Sequence, residues 1–90
     1  MENTVGLTKQ EVENVYAHEV GVMDSIVYHH DGTPVEVLSE LKNHVVSLLK
    51  ERMLLEEQDG VQKEDVERLD KRIEAASDAM NDYIMRNFSL

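Results

Sequence analysis

The chain has 90 residues and a formal net charge of −10, from nineteen acidic and nine basic side chains. It has no cysteine, which excludes disulfides, thiolate metal sites and cysteine nucleophiles. The acidic excess disfavours direct binding to nucleic acid or to an anionic membrane surface, so we expect a charged partner to be a protein with a basic surface.

The whole chain is predicted to form one small helical domain over residues 1–90, in which residues 1–7 show no periodicity and are expected to be a flexible leader. This leader lacks the basic region and the apolar core of a signal peptide. No apolar run reaches the roughly 20 residues that a membrane-spanning helix needs. We therefore expect a cytoplasmic protein without membrane contact.

A first helix is predicted over about residues 8–30. Thr8 and Glu11 have the spacing of a capping box, in which each side chain accepts from the other residue's backbone amide. Glu19 falls within the apolar face, so it must form an ion pair, extend to solvent, or leave the face partly unburied. Gly21 lies on the polar face, where a bend is an open alternative. The apolar face consists of Val12, Val15, Tyr16, Val20, Met23, Ile26 and Val27.

Residues 25–37 allow two interpretations. Thr33 and Glu36 have the spacing of a second capping box, and Pro34 occupies the first helical position, where its missing amide hydrogen does no harm. This pattern favours the end of one helix followed at once by the start of another. The competing interpretation is a β-hairpin across the same residues, because an Ile-Val-Tyr run favours strands.

Residues 34–87 have the pattern of a helical hairpin. The second helix, from Pro34 to about Glu57, is apolar over about half of its circumference and needs two neighbours. The third helix, from about Val61 to Asn87, has a narrower heptad seam that favours packing along the second helix. Three long antiparallel helices with short connections predict an all-α, up-down-up bundle. The wide apolar face further predicts a homodimer that completes the bundle.

The four histidines allow a divalent metal site, because imidazole and carboxylate groups bind zinc or nickel, and Asp31 or Glu19 would complete the ligands. No two of these histidines have His-x3-His spacing, and histidines near a helix C-terminus also interact favourably with the helix dipole. We therefore expect no metal and no other cofactor, although the pair at 29 and 30 keeps the question open. The histidines are His18, His29, His30 and His44.

A row of carboxylates is predicted along one side of the third helix, at steps of three and four residues. Such steps place the groups about 5 to 6 Å apart. Arg68, Lys71 and Arg72 run beside the row, so an ordinary solvated face with ion pairs is the simplest interpretation. Leu54 and Met85 are the apolar residues that an intramolecular bundle explains least, and they join the row as candidate partner contacts. The row consists of Glu67, Asp70, Glu74, Asp78 and Asp82.

No combination of nucleophile, base and phosphate-binding loop stands out, so we expect a protein that is not an enzyme. The composition instead favours a small acidic regulator or inhibitor that binds another protein through helical surfaces. The alternative is a nucleic-acid mimic of the phage or mobile-element antagonist type. Its carboxylate row would block the basic groove of a DNA- or RNA-binding protein.

Overall fold

Three helices account for nearly all of residues 6–88, the part of the chain that the computed structural model describes. Helix α1 spans Lys9–His29, α2 spans Pro34–Glu56 and α3 spans Lys63–Asn87. The predicted all-α, up-down-up bundle is confirmed. Residues 25–29 end α1 and residues 34–37 begin α2, so the β-hairpin interpretation is wrong.

Both predicted capping boxes are formed. Glu11 N–H donates to Thr8 Oγ1 at 3.1 Å, and Thr8 N–H donates to Glu11 Oε1 at 2.8 Å. The second box has the same reciprocal bonds, at 3.3 Å and 2.8 Å, between Thr33 and Glu36. Each box supplies partners for backbone amides that the first helical turn leaves unpaired. Helix α1 continues through Gly21 without a break.

The turn between α2 and α3 depends on Gly60, whose φ is +73°. This left-handed conformation is strained for residues with a Cβ atom, and glycine adopts it freely. Helix α3 then begins at Lys63, two residues after the predicted start. Its N-cap, Gln62, makes no side-chain cap hydrogen bond, so no local signal marked the boundary.

Helix α3 lies at the centre of the bundle. It packs closely along both α1 and α2, whereas α1 and α2 come close to each other at fewer positions. Ala75 and Ala76 are fully buried, and their small side chains allow a neighbouring helix to approach α3 closely. The core cluster consists of Met23, Val37, Leu41, Val45, Leu48, Leu69 and Ala76.

Leu7, just before α1, is hydrogen-bonded to α3. Leu7 N–H donates to Glu67 Oε1 at 2.8 Å, and a Cβ atom added at Gly6 would collide with the Glu67 carboxylate. The rest of the predicted leader, residues 1–5, lies outside the described residues. Among the described helices, none combines the length and the apolar character that a membrane crossing requires.

Candidate partner-binding surfaces

The predicted carboxylate row lies on the outer face of α3, which we define as Glu67, Asp70, Glu74, Asp78, Asp82 and Met85. The helix runs unbroken through these positions, so their steps of three and four place them on one side. Four of the five carboxylate residues are exposed, and Glu67 is half-buried. The structure therefore brings the five carboxylates together on one face of α3.

Each carboxylate of the row has a partner within the chain. Asp78 Oδ2 accepts from the Tyr16 hydroxyl at 2.7 Å, and this hydrogen bond raises the pKa of Tyr16. Glu67 accepts from the Leu7 amide, as described above. The remaining pairs are Arg52 Nε with Asp70 at 2.5 Å, Lys71 Nζ with Glu74 at 2.7 Å, and Arg86 Nε with Asp82 at 2.8 Å.

The paired cations differ from those that the sequence suggested. Of the three neighbours predicted to pair with the row, only Lys71 does so. Arg72 instead reaches the buried Glu19, and Arg68 lies 3.9 Å from Asp65, outside the row. The side chains of Asp70 and Asp82 are both more than half exposed, so solvent weakens their ion pairs and a basic group of a partner can replace the cation.

Met85 and Leu54 are strongly exposed, at 75 % and 61 % of their surfaces, but they lie on different parts of the molecule. Met85 follows Asp82 by three residues and ends the outer face of α3. Leu54 lies near the end of α2 and lines a groove of about 370 Å³ that also includes Arg68 and Leu69. Leu69 of this groove and Met85 are 16 residues apart on α3. The groove beside Leu54 and the exposed Met85 therefore lie about 24 Å apart along the bundle.

The half-apolar circumference predicted for α2 is only partly buried. Leu41, Val45 and Leu48 point into the core, whereas a second set of apolar residues faces solvent. We call this set the outer stripe of α2. It consists of Val35, Val46, Leu49 and Met53, which are 67 %, 37 %, 44 % and 63 % exposed. The sequence signal for it was present, since a stripe this wide exceeds what one neighbouring helix covers.

Glu19 connects all three helices from a nearly inaccessible position, with 1 % of its surface exposed. Its Oε1 accepts from Arg72 Nε of α3 at 2.9 Å, and its Oε2 accepts from His44 Nε2 of α2. A carboxylate can only accept, so the hydrogen of the second bond is carried by His44 Nε2. The sequence left three alternatives for Glu19: an ion pair, extension to solvent, or a partly unburied face. The structure shows the ion pair.

The protonation of Glu19 follows from these two contacts. Burial alone would raise the pKa of Glu19, but hydrogen bonds from His44 and Arg72 outweigh burial and hold the pKa below its ordinary value. Both partners keep some solvent contact, with 24 % and 34 % of their side chains exposed. Glu19 is therefore a charged structural residue that fixes how α1 and α2 meet α3.

Three of the four histidines make contacts of different kinds. His44 binds Glu19, and His30 Nδ1 accepts from Gly32 N–H at 2.9 Å in the turn before α2. His29 instead has its ring edge-on to Tyr28, with centroids 5.1 Å apart. Within residues 6–88, no three histidine or carboxylate side chains come together in a metal-binding arrangement.

Comparisons with protein-family models, with curated proteins and with solved structures found no match to this chain. Three features stand out: the acidic outer face of α3 with Met85 at its end, the outer stripe of α2, and the groove beside Leu54.

Proposed function

We propose that the chain is a small acidic, non-enzymatic regulator or inhibitor that acts in the cytoplasm by binding another protein through the outer face of α3. The observation that carries this proposal is the position of Met85, which is 75 % exposed at the end of a continuous carboxylate row. An exposed methionine adapts to an apolar pocket, and the carboxylates suit lysine and arginine around that pocket. The expected partner is a protein with a basic surface.

The charge of the whole chain supports the same partner class. A net charge of −10 attracts a basic surface over distances longer than any single contact, and this attraction raises the association rate at low salt. The carboxylates of Glu74 and Asp82 are more than half exposed, so exchanging their cations for those of a partner costs little. The outer face of α3 is thus suited to an interface in which polar contacts surround one apolar residue, Met85.

The test is quantitative capture from a lysate of the cells from which the gene comes, with the chain immobilised and bound proteins measured by mass spectrometry. The double variant Glu74→Lys/Asp78→Lys reverses the sign of the charge at the centre of the row. The matched control, Glu13→Lys/Glu40→Lys, changes the net charge equally at exposed positions on α1 and α2. We expect a specific target to fall by at least about tenfold with the row variant, a change that corresponds to about 1.4 kcal/mol of binding free energy.

The control variant should keep most of that target, and Met85→Ser should lose part of it. Equal capture by the row variant and the wild type would contradict the proposal. An equal loss with both double variants would also contradict it, because total charge and not the outer face of α3 would then determine binding. Circular dichroism of each variant would verify that its helices remain intact.

Nucleic-acid mimicry is the second candidate, and the unbroken row on one helix face is the observation that favours it. A basic groove that binds phosphates would accept such a row. A mimic predicts that double-stranded DNA or RNA added to the lysate displaces the target, and that Met85→Ser has no effect. A protein-specific interface predicts that nucleic acid does not displace the target and that Met85→Ser reduces its capture.

A further inference from the structure

The outer stripe of α2 is part of a longer row of exposed residues with heptad spacing, which we call the seam. Six exposed positions follow one another at alternating steps of four and three residues, which is the spacing of the contact seam in a two-stranded coiled coil. Four of the six are apolar, and the other two are Ser39 and Lys42. The seam is Val35, Ser39, Lys42, Val46, Leu49 and Met53.

We propose that this seam packs against the same seam of a second copy of the chain, with the two α2 helices antiparallel and related by a two-fold axis at the level of His44. A two-fold axis brings the same surface of each copy together, as in most homodimers. In this register Val35 faces the partner's Met53, Ser39 faces the partner's Leu49, and Lys42 faces the partner's Val46. Every exposed apolar residue of the seam is then covered.

The charges beside the seam select this register. Glu36 follows Val35 on one flank, and the antiparallel arrangement places it beside the partner's Lys50, a pair of opposite charges that occurs twice. Sliding one helix by seven residues instead brings Glu36 beside the partner's Glu57, and repulsion between like charges opposes that register. Two copies of Asn43 meet at the axis and can bond to each other through their amides.

A parallel dimer is disfavoured by the seam itself. Parallel packing places each seam residue opposite its own copy, so Lys42 would face the partner's Lys42 across the interface. In the antiparallel register the aliphatic part of Lys42 covers the partner's Val46 while its ammonium group reaches solvent. A polar residue in a seam lowers stability but fixes orientation and register, so we expect a dimer of moderate affinity.

Oligomeric state is the first measurement, by light scattering coupled to size-exclusion chromatography over a concentration range up to about 100 µM, where a modest helical interface is populated. The variant Leu49→Glu places a charge in the seam and should raise the dissociation constant by at least about tenfold. Leu54→Glu is the matched control, since Leu54 lies on the same helix and is at least as exposed, but stands off the seam. Helix content by circular dichroism should be unchanged in both.

Register is tested by disulfide formation, which the absence of native cysteine makes unambiguous. A mixture of Lys42→Cys and Val46→Cys chains should form the mixed disulfide faster than either chain alone forms a symmetric one. A monomeric wild type, or a dimer that Leu54→Glu disrupts more than Leu49→Glu, would overturn the proposal. Predominant symmetric disulfides would overturn the antiparallel register. Partner binding through α3 uses other residues, so failure here leaves the proposed function intact.

Discussion

Replacing Glu19 with glutamine removes the charge of the buried carboxylate while nearly preserving its shape. Glutamine oxygen can still accept from Arg72, but its amide can bond to His44 only if the imidazole hydrogen moves to Nδ1. Two charge-assisted hydrogen bonds are thus exchanged for weaker ones, at about 1 kcal/mol each. Because both partners remain partly exposed, we expect Glu19→Gln to lower the free energy of unfolding by about 2 kcal/mol at neutral pH, below the cost of an uncompensated buried charge.

The pH dependence of this loss is the sharper part of the prediction. The pKa of Glu19 is lower in the folded chain than its ordinary value of 4.5, so the unfolded chain binds this proton more readily. The stabilisation is therefore fully present above the ordinary value and disappears as the pH falls through the folded pKa. The stability gap between the wild type and Glu19→Gln should shrink as the solution is acidified below about pH 5.

Urea unfolding followed by far-ultraviolet circular dichroism gives both quantities, provided that the slope with urea is unchanged between variants. Glu40→Gln is the matched control, since Glu40 is exposed on α2 and should change stability by less than about 0.5 kcal/mol. A Glu19→Gln variant as stable as this control at neutral pH would refute the reasoning. So would a gap that stays constant down to acid pH.

Four further substitutions test two glycine positions, one helix cap and the core, and the same unfolding assay checks them. Gly21→Ala should stabilise the chain by up to about 1 kcal/mol, because the helical site is exposed and a new Cβ atom meets no other atom there. Gly60→Ala should instead destabilise it by about 1 to 2 kcal/mol, because φ is +73°; equal signs for the two glycines would contradict this account. Thr33→Ala removes the cap of α2 and should cost about 1 kcal/mol, so an unchanged midpoint would show that the cap is dispensable. Leu48→Ala empties a fully buried position and should cost about 2 to 5 kcal/mol, and a loss below about 1 kcal/mol would place Leu48 outside the core.

The starts of α1 and α2 could be predicted from sequence because their signals are local. Thr8 with Glu11, and Thr33 with Glu36, satisfy backbone amides only three residues away, and no distant residue is needed. The start of α3 lacks such a cap, and its prediction was two residues early. A helix boundary can therefore be predicted from sequence where a local capping interaction marks it.

The pairing of surface and buried charges could not be predicted in the same way. Periodicity identified Glu19 as an anomaly on an apolar face, but its partners are 25 and 53 residues away in the chain. Which cation each carboxylate of α3 meets likewise depends on how the helices pack. Arg72 was expected beside the row, yet it reaches Glu19 because it faces α1 across the bundle. The helical periodicity of the sequence predicts which residues share a helix face, whereas the packing of the helices determines which residues each face contacts.

The central claim, that a partner protein binds the outer face of α3, is tested most directly by site-specific photo-crosslinking. A benzophenone amino acid would be placed at Met85, at Asn81 on the same side of α3, or at the exposed Glu13 on α1. After irradiation in lysate, we predict that the same protein is crosslinked from positions 85 and 81 and is absent from the position 13 sample. A partner crosslinked from position 13 and from neither position on α3 would contradict the claim.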